Sequence, residues 1–262
     1  MKISIIIIEY FSLNDVEKCI NSIRTNLGNN IEIIVSSNSL YNIEKQKEIS
    51  RQFVDVQWTF NRKNGGFAYA MNQGLAVANG DVLAICNPDC ILKKGIGDMA
   101  NFLIEHPTIG AIGPQMISNN NELQDTCRPY VSLQSYIYRQ LQRIIFKKNS
   151  VLNRNYDYEK IQTVDWIIGA FIMVSRKAYE QTKGLSEDYF MYAEDLDWCT
   201  RIRQTGLEIV YYPKAQIEYV GSRSARKSFK YTKIFIKSHY IYWKKFGFLS
   251  GYPKRKKIIY EK

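Results

Sequence analysis

The first half of the chain alternates two hydrophobic periods. Residues 3–8 are an isoleucine-rich run, as expected for a strand buried on both faces. Ser12 and Asp15 resemble an N-terminal capping box, and behind them Val16, Cys19, Ile20, Ile23 and Leu27 recur at helical spacing. Residues 31–35 predict a second buried strand, 42–52 a mostly polar helix and 54–60 a third strand. After the break at Asn64-Gly65-Gly66, one helix face is marked by Phe67, Ala70, Met71, Gly74, Leu75 and Ala78. Asn79-Gly80 signals a turn, and residues 81–86 a fourth strand ending at Asn87-Pro88-Asp89. Residues 96–105 read as a helix and 109–117 as a strand. This βαβα rhythm predicts an α/β fold with a mostly parallel central sheet and helices on both faces.

The second half is less regular. Residues 130–146 read as an amphipathic helix, with Tyr136, Ile137, Leu141, Ile144 and Ile145 on one side, and 147–160 as a polar loop. Residues 164–175 are apolar around Gly169-Ala170. A helix over 194–204 precedes a strand over 208–212 and Pro213. No internal repeat and no Pro/Ser-rich linker is visible. The pattern divides into a catalytic domain over 1–224 and a C-terminal extension over 225–262.

Composition narrows the classes. The 262 residues are 45% hydrophobic and 23% charged, an ordinary globular balance. No apolar run approaches the roughly 20 residues of a spanning helix, and the N-terminal run meets Glu9 too soon for a signal sequence. Five scattered cysteines argue against a disulfide framework and for a reducing, cytoplasmic setting. Two histidines make a His-rich zinc site improbable. The net charge of +11 calls for an anionic partner: nucleic acid, a membrane surface or a phosphorylated ligand.

In open α/β sheets, ligands bind beyond the carboxyl ends of the strands. The first such end, Glu9-Tyr10-Phe11-Ser12, has no glycine, which excludes the dinucleotide fingerprint, and no P-loop follows. At the fourth, proline stiffens a loop that aims the Asp89 carboxylate into the crevice, where it can hold a divalent cation against a diphosphate. The alternative is a turn whose Asp caps the next segment. Asn64-Gly65-Gly66-Phe67-Ala68 lets backbone N–H groups approach an anion at a helix start, unless it is an ordinary βα turn. Glu194, Asp195 and Asp197 crowd a predicted helix start behind the aromatic stretch Tyr189, Phe190 and Tyr192. Acids there favour the helix dipole. Beside apolar rings, a carboxylate also gains a raised pKa suited to a general base.

Together with Ile3-Ser4-Ile5-Ile6-Ile7, Gly110 to Pro114 and Val164-Asp165-Trp166 with Gly169-Ala170, these segments resemble the family 2 glycosyltransferases of GT-A fold. The likeness spans residues 2–224 and is nearest to bacterial rhamnosyltransferases of O-antigen and capsule assembly. It implies an inverting transfer of a sugar, L-rhamnose from dTDP-L-rhamnose, to a saccharide on a polyprenyl diphosphate carrier. It implies donor contacts from Glu9, Tyr10, Ser37, Asn38, Asn64, Gly65, Gly66, Phe67, Asn72, Asn87 and Asp89. Asp89 would bind a divalent metal (Mg2+ or Mn2+), Glu194 or Asp195 would be the base, and Asp165, Trp166 and Gly169 would line the acceptor side. The family's Thr-Tyr-Asn after strand one is here Glu9-Tyr10-Phe11, its Asp before Asn38 is Ser37, and its late His is Tyr219. The last change implies a weakly held cation.

Other readings stay open: a transferase of another sugar from a UDP- or GDP-donor, or a non-catalytic family member. A nucleotidyltransferase would need a Gly-rich, Arg-containing loop after strand one, which is absent. No nucleic-acid-binding module is recognisable, so nucleic acid is not the expected partner. Beyond residue 222, thirteen Lys and Arg face the single acid Glu261, interleaved with aromatic residues. That mixture suits a membrane interface and predicts a peripheral protein on the inner face of the cell membrane. The alternative is a helix packed on the sheet by its aromatic side.

Overall fold

The sheet is organised around the isoleucine-rich strand β1 (Ile3–Glu9). The computed structural model describes residues 1–28, 31–130, 132–134, 156–219, 229–248 and 258–260. β1 pairs in parallel with β2 (Ile31–Ser37) on one side and β4 (Val82–Cys86) on the other, and β3 (Gln57–Phe60) adds in parallel to β2. The crossovers are α1 (Leu13–Leu27), α2 (Ile43–Gln52) and α3 (Phe67–Val77). Beyond β4 the sense changes. β10 (Phe171–Ser175) lies antiparallel between β4 and β6 (Ile109–Ile117). β11 (Glu208–Tyr219) runs parallel to β6 and antiparallel to β5 (Cys90–Lys94), giving the order β3-β2-β1-β4-β10-β6-β11-β5, with β8 (Gln162–Thr163) paired to β11. β7 (Cys127–Arg128) and β9 (Trp166–Ile167) form a separate two-stranded sheet.

Side chains of β1 alternate between two cores. Ile5 and Ile7 join the core under α1, α2 and α4 (Ile96–Glu105). Ile6 joins the core shared by α3, α5 (Arg176–Thr182), α6 (Glu194–Gln204) and α7 (Phe229–Phe246). Each fully buried isoleucine contributes about 1.5–3 kcal/mol, so both helix layers are fixed to the strands whose ends build the site. Helix α7 enters through Tyr242 and Trp243, so the aromatic side of the basic tail packs on the domain.

Several sequence expectations need correction. Ser12 makes no side-chain cap to α1; its Oγ accepts from the Tyr10 N–H at 3.4 Å, because the loop has turned back toward β1. The third strand begins at Gln57 rather than 54, after a turn closed by Val56 N–H on the Phe53 carbonyl. Pro213 does not end the last strand. It sits where the register of β11 against β6 shifts between Tyr212 and Gln216, a bulge that needs no N–H from proline. The apolar stretch 164–175 is two strands hinged at Gly169-Ala170. Strand β5 and helix α5 carried no readable period. The predicted helix over 130–146 and loop over 147–160 lie largely outside the described residues.

Candidate active site

The carboxyl ends of β1, β2 and β4 open side by side. Glu9, at the end of β1, is fully buried. Its Oε1 accepts from Ser12 N–H (3.0 Å) and the Tyr41 hydroxyl (3.1 Å), and its Oε2 from the hydroxyls of Ser39 (2.8 Å) and Ser37. Both oxygens are thus engaged inside the protein, and Glu9 fixes the Ser37-Asn38-Ser39 turn. Ser37 is buried with it, whereas Tyr10 is exposed on the rim. Asn38 carries the order onward: its Nδ2 donates to the Gly66 carbonyl (3.0 Å) and to Asn64 Oδ1 (3.2 Å).

The glycine loop is pinned between that turn and the aromatic segment before α6. Asn64 Oδ1 also takes the Gly66 N–H at 3.1 Å, and Phe67 N–H donates to the Phe190 carbonyl at 2.8 Å. A Cβ on Gly65 would fall 2.4 Å from the Tyr69 ring, and one on Gly66 2.1 Å from the Phe190 oxygen. Gly66 has φ +90°, which a side chain resists. Around the same crevice Phe11, Leu40, Tyr192 and Ala193 hold φ of 51°, 54°, 70° and 64°. Such strain, about 1–3 kcal/mol per residue, gathers where function dictates backbone shape. Asn72 lies elsewhere. Its amide is engaged by both backbone groups of Leu185 and by Glu187, so it joins α3 to the 185–187 turn.

After β4, Asn87 N–H is held by the Ala170 carbonyl at 2.8 Å, and its Nδ2 donates to the Tyr219 hydroxyl at 3.4 Å. Asn87 Oδ1 is buried without a hydrogen-bond partner. The Tyr219 phenol is pushed up, first by burial and then by the negative charge of Asp89, with Asp195 adding to it. Tyr219 therefore stands within electrostatic reach of both carboxylate loops.

The three acids of α6 have three different environments. Asp197 is fully buried and takes the Arg201 guanidinium, the Lys245 ammonium of α7 (2.8 Å) and the Tyr189 hydroxyl (3.1 Å). Glu194 is buried, and its Oε2 has no partner. Burial, the Asp195 charge and the Asp197 charge hold its carboxyl well above the usual range. Asp195 is half-buried. Its Oδ2 accepts from Gly169 N–H and its Oδ1 from Leu196 N–H, both at 2.8 Å. Burial raises its pKa too, but these N–H groups and the charge of Arg128 oppose the rise. Of the two, Glu194 is held further above the ordinary range, because its Oε2 has no partner while both oxygens of Asp195 accept N–H groups that favour the charged form.

The remaining candidates support this carboxylate. A Cβ at Gly169 would sit 3.0 Å from the Asp195 Cβ, so a side chain here would press on the carboxylate that the Gly169 N–H holds. Asp165 is ion-paired to the buried Arg203 (2.9 Å) and accepts from Tyr130 N–H (3.1 Å). Trp166 donates its indole N–H to the Pro129 carbonyl at 3.0 Å and lies under the Arg128 guanidinium, 5.6 Å from its centroid. Asp165 and Trp166 thus shape the wall beside the site, and the partly exposed cation there is Arg128, ion-paired to Asp125 at 3.0 Å. It stands opposite Trp166 in the β7–β9 pair. No period or motif in the sequence marks it; only the strand pairing brings it to Asp195.

The family model described as Glycosyl transferase family 2 matches residues 4–183. The chain belongs to glycosyl transferase family 2. A second model, described as the N-terminal domain of galactosyltransferase, matches residues 145–224. The N-acetylglucosaminyl-diphospho-decaprenol L-rhamnosyltransferase of Mycobacterium tuberculosis is 28% identical over 144 residues, 52% of this chain and 46% of that protein. Rhamnosyltransferase WbbL of Escherichia coli K12 is 38% identical over 50 residues, 19% of each chain. The chain thus matches less than half the length of these relatives. The crystal structure of GalNAc-T7 with UDP, GalNAc and Mn2+ superposes with a TM-score of 0.63 at 13% identity, covering 83% of this chain and 43% of that one. That likeness is one of fold, the GT-A fold.

For a family 2 chain, the Asn87-Pro88-Asp89 loop fits a cation that is shared with a ligand. It offers the Asp89 carboxylate, and the buried Asn87 Oδ1 beside it lacks a donor. Among the described residues no group of three or more acids, histidines or cysteines forms a complete cage. One carboxylate completed by substrate phosphates is the habit of Mg2+. The Tyr219 phenol, held neutral, adds a hydrogen-bonding group rather than a strong ligand.

Proposed function

We propose that this family 2 chain is an inverting glycosyltransferase that moves L-rhamnose from dTDP-L-rhamnose to a hydroxyl of a saccharide carried on polyprenyl diphosphate, in assembly of a cell-surface polysaccharide. The observation that carries the reading is Asp195: a half-buried carboxylate aimed by two N–H groups beside the buried Glu194, with its charge and that of Asp89 both felt at Tyr219. The relatives' names support the sugar and the carrier, since both are rhamnosyltransferases and one acts on a diphospho-decaprenol.

In this mechanism Asp195 takes the proton of the acceptor hydroxyl. The oxygen attacks the anomeric carbon on the face opposite the diphosphate, the anomeric C–O bond breaks, and the nucleoside diphosphate departs. Asp89 and Asn87 would hold a Mg2+ or Mn2+ ion against the donor diphosphate, where it neutralises the leaving group's charge. The Asn38–Gly66 and Phe67–Phe190 bonds keep the donor loop and the base segment in fixed register, which lowers the entropy cost of aligning two substrates. Arg128, whose positive charge acts on Asp195, would meet the acceptor beside the base. The test is a panel of UDP-, dTDP- and GDP-sugars with N-acetylglucosaminyl diphosphate on a polyprenol as acceptor. Transfer of rhamnose from the dTDP donor, with inversion, is expected. Retention of configuration, or transfer only from another donor, would overturn the reading.

A further inference from the structure

Helix α7 has two faces. Inward, Tyr242 and Trp243 are buried, and Lys245 pairs with Asp197 of the base helix. Ser238 Oγ donates to the Met191 carbonyl at 2.7 Å, the Tyr242 and Thr200 hydroxyls meet at 3.0 Å, and the Phe235 ring lies 5.5 Å from Tyr192. Outward, Phe229, Lys233, Ile236, Lys237, Tyr240 and Lys244 recur three or four residues apart along one exposed stripe. Phe229 is 76% exposed, Ile236 57% and Tyr240 54%. The helix contains no Asp or Glu. Among the described residues, Lys245 is the only α7 lysine in an ion pair. A stripe of rings and aliphatic groups alternating with ammonium groups that make no ion pair among the described residues, Lys233 lying over the Phe229 ring at 4.7 Å, is poorly matched to water alone. It matches the headgroup layer of a bilayer, where apolar side chains sink and cations meet phosphates. No described helix is long and apolar enough to cross a membrane, so such a helix would lie in the interface plane.

We propose that the outer face of α7 docks this protein on an anionic phospholipid surface. The inner contacts set the consequence. Lys245, Ser238 and Phe235 grip the segment that carries Met191, Tyr192 and the acids of α6. A membrane beneath α7 therefore lies about one helix diameter, ~10 Å, from the mouth of the site. This deepens the reading above, since a polyprenyl-linked acceptor presents its saccharide at that surface. It also revises the sequence expectation: Lys245 serves the fold, and Lys233, Lys237 and Lys244 serve the lipid.

The experiment is flotation of the full chain with phosphatidylcholine vesicles, with and without phosphatidylglycerol, across a salt titration. The parent and a variant carrying Lys233→Gln, Lys237→Gln and Lys244→Gln are compared. Each lysine near an anionic surface is worth about fivefold in partition, so the triple variant should bind phosphatidylglycerol vesicles about a hundredfold more weakly. Its melting temperature should match the parent's, since all three side chains face outward. A second variant, Ile236→Ser with Tyr240→Ser, should bind these vesicles more weakly than the parent while keeping the parent's salt dependence. Binding that ignores phosphatidylglycerol and salt, or that the triple variant retains, overturns the proposal. So does a parent that is a dimer through this face, which the triple variant would render monomeric, or one that binds RNA in place of vesicles. Flotation reads the surface without turnover. Docking without any sugar transfer would fault the transferase reading alone, and transfer to a water-soluble acceptor without flotation would fault docking alone.

Discussion

Glu194 and Asp195 are adjacent acids in different surroundings: Glu194 Oε2 has no hydrogen-bond partner, whereas both oxygens of Asp195 accept N–H groups. The sequence showed a cluster of three acids at a helix start but not the division of labour. Successive helix residues point about 100° apart, so Asp197 turns into the core, Glu194 is buried with its Oε2 unpartnered, and Asp195 turns toward Gly169. Glu9 was misleading in the same way. In the sequence it stands at a strand end as a donor contact, whereas both oxygens are held by the Ser37–Tyr41 turn. A pH signature follows from Glu194. Burial, then the Asp195 charge, raises its folded-state pKa above the unfolded value. The folded state therefore keeps a proton that the unfolded state has released. This contribution to stability is complete below the ordinary glutamate range and is lost as pH rises through the folded value. Glu194→Gln removes the dependence. Between about pH 5 and about pH 8 the melting temperature of the parent should fall more than that of the variant. Parallel curves would show that Glu194 is ionised throughout.

At the scale of elements, β1, β2, β4 and the helices between them were legible, because each buries a continuous apolar run or a helical stripe in one parallel unit. What escaped was set by non-local pairing. The antiparallel insertion of β10 between β4 and β6 leaves no local trace, and β5 is too short for a period. The amphipathic character of the tail was visible, yet only packing shows which lysine points inward. The sequence offers the glycine loop as a ligand cradle or an ordinary βα turn, while the partner of the Phe67 N–H at its end, the Phe190 carbonyl, lies over a hundred residues away. Gly66→Ala tests that link. Its Cβ would press on the Phe190 oxygen at a φ of +90°, so the loop and the base segment must separate. We expect about 1–3 kcal/mol of lost stability and weaker donor binding by calorimetry. Gly28→Ala is the control, since its φ is +68° but nothing lies within 4 Å. It should lose some stability and leave donor binding alone. Unchanged donor affinity in Gly66→Ala would remove the loop from the site.

Over the whole molecule, the sheet sets the loops after β1, β2 and β4 beside one another, while α6 and the β7–β9 pair bring Asp195 and Arg128 within electrostatic reach of each other. The separation of roles is the central claim: Asp89 and its loop act on the leaving diphosphate, and Asp195 acts on the acceptor. The most direct test is the transfer rate of Asp195→Asn as a function of pH, with donor affinity measured on the same preparation. The parent rate should rise with pH through the raised pKa of Asp195, since the base must be ionised. The variant should be slower by about 10²–10⁴-fold, without that pH limb, and should bind donor as the parent does. A variant that transfers within about tenfold of the parent and keeps the pH limb would contradict the assignment.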